Sequence, residues 1–581
     1  MASTRIKDLS ATATQAAADD YLAIDGATNG TRKIKPEDLG GGGSSVSPYT
    51  STPSALGTAS AGSSDNYSRG DHVHAMPTAS DVGALSSSTT ASDLGAIPAP
   101  SSPSSGQYLM YNGSAWVGDT SSTGQKTSVF IAASDSADEY KASADYVCTG
   151  TNDQVIINSA MAQHKEFLFA SGTYNISGEI NPASNSILRG VGYPTFKLAN
   201  RATSNLSQSA SIGDASIYVA DASVFVVGQK IQIKDGTQYD DKLGVITSIN
   251  TDTGQITFSS NGNPTQAGSL TKAFTTSAVV FSDSSIIMGW SVENVTVEGI
   301  KFDGNRSNLS GYTSDTDYGS NGIEFYGSKH ISILNNVITE VYKHGVLLIY
   351  GTTESLVENN DISNCSTHGI DCFPNTTKRN AILGNALYAA NIQCHGGSYT
   401  NIVGNTLRKC TIFNQTGATC NVIVGNIIDN SENNSARSFQ INAGTTNTLI
   451  ANNVTYGGNY GIQIDGGQTI ALLNNKFVNA RSQAIHLYNA KFCNVSGNDL
   501  DNCNNANTGS GIYLETTCQR NKISDNYIKG TSGKTNYGIQ DATSASDYNY
   551  VNNNVVYNAS TGAVSILGTH SVETGNAVIA A

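Results

Sequence analysis

Short stretches of alternating hydrophobic and polar residues fill the second half of the chain, and turn residues separate them. SGIYL at 510–514 and YGIQI at 460–464, for example, alternate apolar residues with variable ones. This period of two is typical of a half-buried strand, and its recurrence between turn residues favours an all-β fold. An amphipathic helix is predicted near Asp153 to Gln163, where the apolar spacing changes.

One short motif built around an asparagine recurs through the same region. LNNVI at 334–338 is its first copy and TGNAV at 574–578 is its last. Its eleven copies place an asparagine at Asn336, Asn360, Asn385, Asn405, Asn426, Asn453, Asn475, Asn498, Asn526, Asn554 and Asn576. The first and last of these lie 240 residues apart, so the mean of the ten spacings is 24 residues. A period of this length is typical of a solenoid, in which each repeat forms one stacked unit.

Each repeat contains three strand patterns, which together describe one rung of a right-handed parallel β-helix. One strand precedes the asparagine, a second follows it, and a third carries the pattern Gly-Ile-x-apolar. Because the edges of a rung stay unpaired until the next rung stacks on it, only the stack buries a continuous core. Residues 294–304 resemble one further rung with Ile300 in place of the asparagine, which brings the predicted total to about 12 rungs.

The recurring asparagine is interpreted as a structural residue. A tight corner often requires a left-handed backbone conformation, which asparagine tolerates better than most residues. Its amide can also bond the equivalent asparagine of the next rung. We therefore expect the asparagine column to stabilise the stack and to take no part in chemistry.

Changes in composition divide the chain into five segments. Residues 1–43 form a small module that ends in four glycines, and residues 44–125 form a Ser/Gly-rich neck with a hairpin signal at Asn112-Gly113. Residues 126–205 begin the β-helix, residues 206–275 form an inserted small β module, and residues 276–581 form the β-helix body. The neck is too poor in large apolar residues to build a core alone, so a slender fibre in which several chains share one core is expected.

Charge and cysteine content narrow the possible partners. The formal net charge is -14 and no basic run is present, which argues against nucleic acid or an anionic membrane and is compatible with a glycan. The start of the chain has no signal-peptide pattern and no stretch is long and apolar enough for a membrane helix, so synthesis in a cytoplasm is expected. The nine cysteines show no zinc spacing and read as buried free thiols, with a disulfide framework as the alternative.

Particular segments resemble two kinds of known protein. ADYVCTGTND at 144–153, followed by the rungs, resembles the entry into the pectin-lyase-like β-helix superfamily. IKDL, DDYLAIDG and RKIKPEDL within 6–39, and the segment 57–85, resemble modules that open bacteriophage tail fibres. The resemblance implies a homotrimeric phage tailspike in the virion tail. Residues 1–43 would attach it to the tail, and the β-helix would contact a bacterial surface glycan.

His72 and His74 lie in SRGDHVHAM at 68–76, where almost nothing can be buried. In an extended strand, residues two apart point the same way, so a trimer could direct six imidazoles at one ion on its axis. Six nitrogens suit an octahedral transition metal better than tetrahedral zinc, and the resemblance to phage fibres implies iron. The alternative is a pair of solvated loop histidines, or histidines bonded to backbone at a turn.

Two pairs of carboxylates on the predicted outer face of the Gly-Ile-x-apolar strands are the candidate catalytic residues. Glu324 pairs with Asp371, and Asp465 pairs with Glu515, each two rungs apart. Rungs stack about 4.8 Å apart, and glycoside hydrolysis needs carboxylates separated by about 5 Å or about 6.5–9.5 Å. The alternative is that these carboxylates are merely solvated.

Aromatic and amide side chains on the same face are the candidate sugar-binding residues, because rings stack on sugars and amides bond hydroxyls. They are Tyr326, Phe373, His395, Gln440, Gln463, Tyr488 and Tyr513. His395 and His486 are further acid/base candidates.

Two functions remain open at this point: a depolymerase that hydrolyses a surface polysaccharide, and a receptor-binding spike of the same shape without turnover. A lyase ranks lower because basic residues are sparse on this face. A bacterial adhesin would normally carry an export signal, and the start of the chain shows none. The long insertion at 303–322 carries Asp303, Asp315 and Asp317, which either bind Ca²⁺ or lie in a solvated loop.

Overall fold

The computed structural model describes residues 128–236, 239–260, 267–309, 319–374 and 376–579, and the backbone of four short strands nearer the start. The chain divides into two compact units, Met1–Gly124 and Gln125–Ala581. Within the described residues, no helix has the length and apolar character needed to cross a membrane.

The four described strands of the first unit form two antiparallel pairs. Leu22–Ile24 pairs with Arg32–Ile34, and Tyr108–Tyr111 pairs with Trp116–Asp119 on either side of Asn112-Gly113. His72 and His74 lie outside the described residues, so the metal site predicted there stays a prediction.

The second unit is a parallel β-helix with three long sheets, here called A, B and C. Each rung contributes a strand to one, two or all three of these sheets. The strands of sheet A are Thr173–Ile176, Thr195–Leu198, Lys301–Asp303, Val337–Thr339, Asp361–Ser363, Ala386–Tyr388, Thr406–Arg408, Ile427–Asn430, Val454–Gly457, Lys476–Val478, Asp499–Cys503, Tyr527–Gly530, Val555–Tyr557 and Ala577–Ile579. The strands of sheet B are Ile287–Trp290, Ile323–Tyr326, His344–Ile349, His368–Phe373, Ile392–His395, Ile412–Gln415, Arg437–Ile441, Tyr460–Asp465, Ile485–Tyr488, Gly509–Glu515, Thr535–Asp541 and Gly562–Ser565. The strands of sheet C are Tyr146–Val147, Ser128–Ala132, Glu166–Phe169, Ile187–Gly190, Glu293–Glu298, Lys329–Leu334, Leu356–Glu358, Ala381–Leu383, Asn401–Val403, Val422–Val424, Leu449–Ala451, Ala471–Leu473, Asn494–Ser496, Lys522–Ser524, Tyr550–Asn552 and Val572–Thr574.

The β-helix contains more rungs than the sequence predicted. Sheet C has 16 strands and sheet A has 14, against about 12 rungs expected from the repeat period. The additional rungs lie before Glu293, where aromatic residues fill the core and the asparagine motif is absent. Phe196, for example, packs edge-on against Phe169 at 4.9 Å and against Phe302 at 5.7 Å.

Helices are few in the described part of the chain. They span Asp138–Ser143 and Gln154–Met161, with a 3₁₀ turn at Arg306–Asn308. The second helix confirms the amphipathic segment expected near Asp153, and it buries Ile157, Ala160 and Met161 against the first rungs.

The core is a set of columns in which each strand places a side chain over the equivalent one in the next rung. Ile382, Ile402 and Ile423 form such a column in sheet C, and all three are fully buried. Burying each of these side chains stabilises the fold by about 1.5–3 kcal/mol. Cys372 stacks in register on Cys394 as expected, and the nine cysteines are free thiols, of which Cys420 alone is not buried.

The sequence interpretation gave one asparagine two roles, the bond to the next rung and the left-handed conformation. In the structure, two adjacent residues of the motif share these roles. The buried asparagine of each motif bonds the next rung: Nδ2 of Asn360 donates to Oδ1 of Asn385 at 3.0 Å. The residue before it takes the left-handed conformation, as at Asn359 with φ 55° and Gly384 with φ 60°. The single-residue interpretation was therefore wrong in this detail, because a buried amide that bonds its neighbours cannot also occupy the exposed corner.

A six-stranded antiparallel sheet with its own core interrupts the β-helix between Thr203 and Ser282. Its strands are Thr203–Asn205, Ser216–Tyr218, Lys230–Lys234, Tyr239–Asn250, Gln255–Ser259 and Val279–Ser282. They extend a few residues beyond 206–275 at both ends. Nζ of Lys230 lies 3.0 Å from Oε1 of Glu179 in the β-helix, and both side chains are buried.

Candidate functional site

The outward face of sheet B carries two columns of side chains, and the second, two residues further along each strand, includes Asp465, Tyr488 and Glu515 in register. The first column contains, in register, Met288, Glu324, Leu347, Asp371, Gln393, Phe413, Gln440, Gln463, His486, Tyr513 and Gln540. Both carboxylate pairs lie two rungs apart: Leu347 separates Glu324 from Asp371, and Tyr488 separates Asp465 from Glu515.

Five rings form a continuous row of contacts along one side of this face, here called the aromatic ladder. Trp290 stacks on Tyr326 with centroids 3.8 Å apart, and Tyr326 lies 5.0 Å from Tyr350. Tyr350 contacts Phe373 at 5.7 Å, and Phe373 contacts His395 at 4.7 Å. The sequence predicted Tyr326, Phe373 and His395. It missed Trp290, which precedes the asparagine repeats, and Tyr350, which follows its strand by one residue.

Beside the ladder lies a group of three side chains, here called the histidine–aspartate cluster. Nε2 of His344 lies 3.5 Å from Oδ2 of Asp371, and Nδ1 of His368 lies 3.8 Å from the same oxygen. The two imidazole rings stack at 5.6 Å, because His344 and His368 occupy equivalent positions in adjacent rungs. Nε2 of Gln393 donates to Oδ2 of Asp371 at 3.3 Å.

The cluster is shielded from solvent, and this burial shifts the pKa values of its three side chains. Asp371 is only 4% exposed, and burial raises the pKa of its carboxyl to about 8. Burial lowers the pKa of His368 to about 4. Burial, with the neighbouring His368 and Lys343, holds the pKa of His344 well below its usual range. Near neutral pH both imidazoles are therefore uncharged.

The sequence named Asp371 but not the two histidines. A signal for them was present, because HGVLL and HGIDC begin with histidines 24 residues apart, the period of the repeat. The sequence interpretation followed the variable position inside the strand and the residue two further along. The structure shows that the first residue of these strands also faces the site.

Glu324 occupies a different environment from the open groove expected for it. Its side chain is 5% exposed, and its Oε2 accepts hydrogen bonds from Oγ of Ser285 at 2.8 Å and Nδ2 of Asn321 at 2.9 Å. The inserted module meets the β-helix here, since Ser285 directly follows the module and also bonds Glu179. A polymer lying on sheet B would not reach this carboxylate.

A second group of polar side chains lies further along the same face. Nε2 of His486 lies 2.8 Å from Oε2 of Glu515, whose side chain is 41% exposed. The His486 ring is held between Tyr460 at 5.3 Å and Tyr513 at 5.6 Å. Asp465, in register with Tyr488, is partly exposed one rung before Tyr488 and two before Glu515.

Arg437 organises the predicted amides on the rungs before this group. Its Nε donates to Oε1 of Gln463, and its Nη1 donates to Oε1 of Gln440 at 3.3 Å. Its guanidinium also lies 5.8 Å from the ring centroid of Tyr460. The sequence interpretation missed Arg437 because it stands at the first position of its strand, outside the alternating pattern.

Comparison with known families confirms the handedness of the fold. Residues 277–427 match the family described as "Right handed beta helix region", so the parallel β-helix is right-handed, as predicted. No curated protein matches the chain.

Similar solved structures include β-helix enzymes and phage tailspikes. The A-module of mannuronan C-5 epimerase AlgE6 from Azotobacter vinelandii has a TM-score of 0.44 at 14% identity, covering 74% of this chain and 97% of that one. Tailspike gp61 of Pseudomonas phage phi297 has a TM-score of 0.27 at 11% identity, covering 67% and 73%. The Gp54 tailspike of Acinetobacter baumannii bacteriophage AP22, solved in complex with capsular saccharide, has a TM-score of 0.26 at 12% identity, covering 74% and 77%.

Proposed function

We propose that the outward face of sheet B binds a bacterial surface polysaccharide, and that the protein is a phage tailspike. The observation that carries the binding proposal is the aromatic ladder. Five rings in contact from Trp290 to His395 follow the rungs without a break. Four rung steps of about 4.8 Å give this ladder a length of about 19 Å, which suits an extended chain of several sugar units.

The chemistry of the face supports a neutral or polar polymer. Aromatic side chains offer large apolar surfaces, and a few fixed polar groups beside them can orient a ligand through hydrogen bonds. Gln393 and Gln415 supply such amides at the end of the ladder, where Nε2 of Gln415 donates to Oε1 of Gln393 at 2.7 Å. Further along, Arg437 orients Gln440 and Gln463.

The remaining parts of the proposal rest on the sequence. The segments within 6–39 and 57–85 that resemble phage tail modules support attachment to a tail through residues 1–43, a homotrimer, and a place in the virion. An iron or other transition-metal ion at His72 and His74 on the trimer axis belongs to the same proposal.

A second candidate function is hydrolysis of the bound polymer, and the group around Glu515 favours it. Asp465 and Glu515 are both partly exposed and lie two rungs apart, about 9.6 Å along the stack. This separation is close to the upper end of the about 6.5–9.5 Å used by inverting glycosidases. The Glu324 and Asp371 pair is less suitable because Glu324 is buried against Ser285 and Asn321.

Binding is tested by equilibrium titration of the full chain with purified capsules and lipopolysaccharides from a panel of bacteria. Replacement of Tyr350 by Ala should weaken binding about 10-fold, since a stacked aromatic contact is worth about 0.5–1.5 kcal/mol beyond its area. Tyr388→Ala is the matched control, because Tyr388 is equally exposed, at 38%, but lies on sheet A. Equal affinities for both variants and the wild type would reject the aromatic ladder as the binding surface.

Hydrolysis is tested on whichever polysaccharide binds, by the release of reducing ends. Asp465→Asn and Glu515→Gln should each abolish the release of reducing ends while leaving binding intact. A folded Glu324→Gln variant should still release reducing ends. Binding without release by the wild-type chain would leave a receptor-binding spike without turnover.

A further inference from the structure

The histidine–aspartate cluster directs nitrogen and oxygen lone pairs toward one point. Nδ1 of His344 lies 3.0 Å from Oδ1 of Asn321. An amide oxygen only accepts hydrogen bonds, so Nδ1 of His344 must carry the proton. Nε2 of His344 then presents a lone pair toward Oδ2 of Asp371, 3.5 Å away.

The orientation of the Asn321 amide is itself determined by its neighbours. Its Nδ2 donates to Oε2 of Glu324 at 2.9 Å, and its Oδ1 also accepts the backbone N–H of His344 at 3.1 Å. Rotating the amide by 180° would place its oxygen against the Glu324 carboxylate and its NH₂ against a backbone donor. Glu324 therefore acts as a positioning residue for His344, through Asn321.

Two further atoms of the cluster are buried without a partner. Nδ1 of His368 and Oδ1 of Asp371 have no hydrogen-bond partner, and Asp371 as a whole is 96% buried, since it is 4% exposed. A buried polar atom without a partner carries an uncompensated desolvation cost. Both atoms belong to side chains that converge on the same point as Nε2 of His344.

From this geometry we infer that the histidine–aspartate cluster binds one divalent transition-metal ion. The ligands are Nε2 of His344, Nδ1 of His368 and a carboxylate oxygen of Asp371, which all lie within 4.8 Å of one another. Neighbouring ligands of one ion with bonds of about 2.1 Å stand roughly 3–3.5 Å apart, so small side-chain rotations close the site.

The donor set selects the class of metal. Imidazole nitrogens suit zinc, iron, cobalt and nickel, whereas calcium and magnesium prefer oxygen ligands. Two imidazoles and one carboxylate leave at least one coordination position open for water or a hydroxyl group. Gln393, which donates to Oδ2 of Asp371 at 3.3 Å, fixes the orientation of the carboxylate, as outer-shell partners do at metal sites.

This inference assigns Asp371 the role of a ligand, in place of the catalytic carboxylate predicted from the sequence. It does not depend on polysaccharide binding or on hydrolysis at Asp465 and Glu515. It is also independent of the ion proposed for His72 and His74, which the experiment must therefore remove.

The test uses the full chain carrying His72→Ala and His74→Ala as the parent. After treatment with a chelator, the parent is titrated with Co²⁺, and the visible absorption of the bound ion is recorded. We expect one Co²⁺ per chain. His368→Ala and Asp371→Asn should each lower the affinity by about 100-fold or more, because loss of even an outer-shell partner costs about 10–100-fold.

His330→Ala in the same parent is the matched control. His330 lies in sheet C, is exposed and pairs with Glu354 at 3.0 Å, so this variant should bind Co²⁺ as the parent does. A parent that binds no Co²⁺, or His368→Ala and Asp371→Asn variants that bind it as tightly as the parent, would overturn the inference.

Crystals of the parent soaked in Zn²⁺ provide a check that does not depend on the folding of any variant. An anomalous difference peak between His344, His368 and Asp371 would support the site. A map in which these side chains are ordered without such a peak would reject it in favour of a direct hydrogen bond between a protonated Asp371 and His344.

Discussion

Nδ2 of Asn405 donates a hydrogen bond to Oδ1 of Asn426 in the next rung, at 2.9 Å, and the backbone N–H of Asn405 donates to the same oxygen at 3.0 Å. Both asparagines are fully buried. Nδ2 of Asn426 in turn donates to Oδ1 of Asn453. One asparagine side chain per rung thus accepts a hydrogen bond from a backbone N–H at the corner of the neighbouring rung. Among the described strands, no neighbour supplies a backbone acceptor for that N–H.

Replacing Asn426 by Ala should lower the free energy of unfolding by about 2–4 kcal/mol. The backbone N–H of Asn405 loses its acceptor, and a buried group left unsatisfied costs about 1–3 kcal/mol. The carbonyl of Ile402 loses the amide that bonds it at 2.9 Å as well. Urea unfolding followed by circular dichroism measures the change, and a variant as stable as the wild type would show that water replaces the amide.

At the residue before each buried asparagine, a substitution by glycine should be tolerated and a substitution by a larger side chain should destabilise the fold. Asn452 has φ 55°, and the equivalent Gly425 has φ 68°. Asn452→Gly should therefore leave the unfolding midpoint within error of the wild type. Asn452→Val should destabilise by about 1–2 kcal/mol, because an L side chain in the left-handed region is strained. Equal midpoints for the Gly and Val variants would contradict this account.

The sequence predicted what depends on local repetition and missed what depends on contacts between distant segments. The asparagine column and the face of sheet B follow from a period that is visible in the chain. Phe413 was missed because its rung, TIFNQTG, lacks the Gly-Ile pattern. The burial of Glu324 was missed because it depends on where the inserted module meets the β-helix. The 24-residue spacing of His344 and His368 is visible in the sequence, but their convergence on Asp371 is not, since the first residue of a strand lies outside the alternation.

The ion pair between Lys230 and Glu179 should stabilise the junction of the inserted module and the β-helix. Both side chains are buried, with Nζ and Oε1 3.0 Å apart. Lys230→Met leaves the Glu179 carboxylate without its cation, and breaking a buried pair on one side costs about 3–5 kcal/mol. The double variant Lys230→Met with Glu179→Leu should recover part of this loss, since the unpaired Glu179 carboxylate is removed while the buried Glu324 and Asp283, which also face Lys230, remain.

An exposed pair gives the matched control for this prediction. Lys476 and Asp499 lie 2.9 Å apart on the surface of sheet A, and exposed pairs contribute about 0–1 kcal/mol. Lys476→Met should therefore change the unfolding free energy by less than about 1 kcal/mol. Chemical denaturation of the variants at one pH compares them. A Lys230→Met effect no larger than that of Lys476→Met would show that the junction does not depend on the ion pair.

Asp541 should make the stability of the last rungs depend on pH. It continues an inward-facing column that contains Ile464, Leu487 and Leu514, and burial raises the pKa of its carboxyl to about 6. In the unfolded chain the value is about 3.9. A group whose pKa is higher in the folded state binds its proton more tightly there, so its contribution to stability is complete below about pH 4 and falls as the pH rises to about 6.

Asp541→Asn removes this titration while keeping the size of the side chain. Other carboxylates titrate in both proteins, so the measured quantity is the difference between the wild-type and variant unfolding midpoints in urea at each pH. The unfolding midpoint of the variant should rise relative to that of the wild type between pH 4 and pH 6. The difference should then stay constant at higher pH. A difference that does not change between pH 4 and pH 7 would show that the folded chain does not favour the protonated carboxyl. Asp541→Leu extends the apolar column and should be more stable than the wild type. The gain should be largest above about pH 6, where Asp541 is ionised.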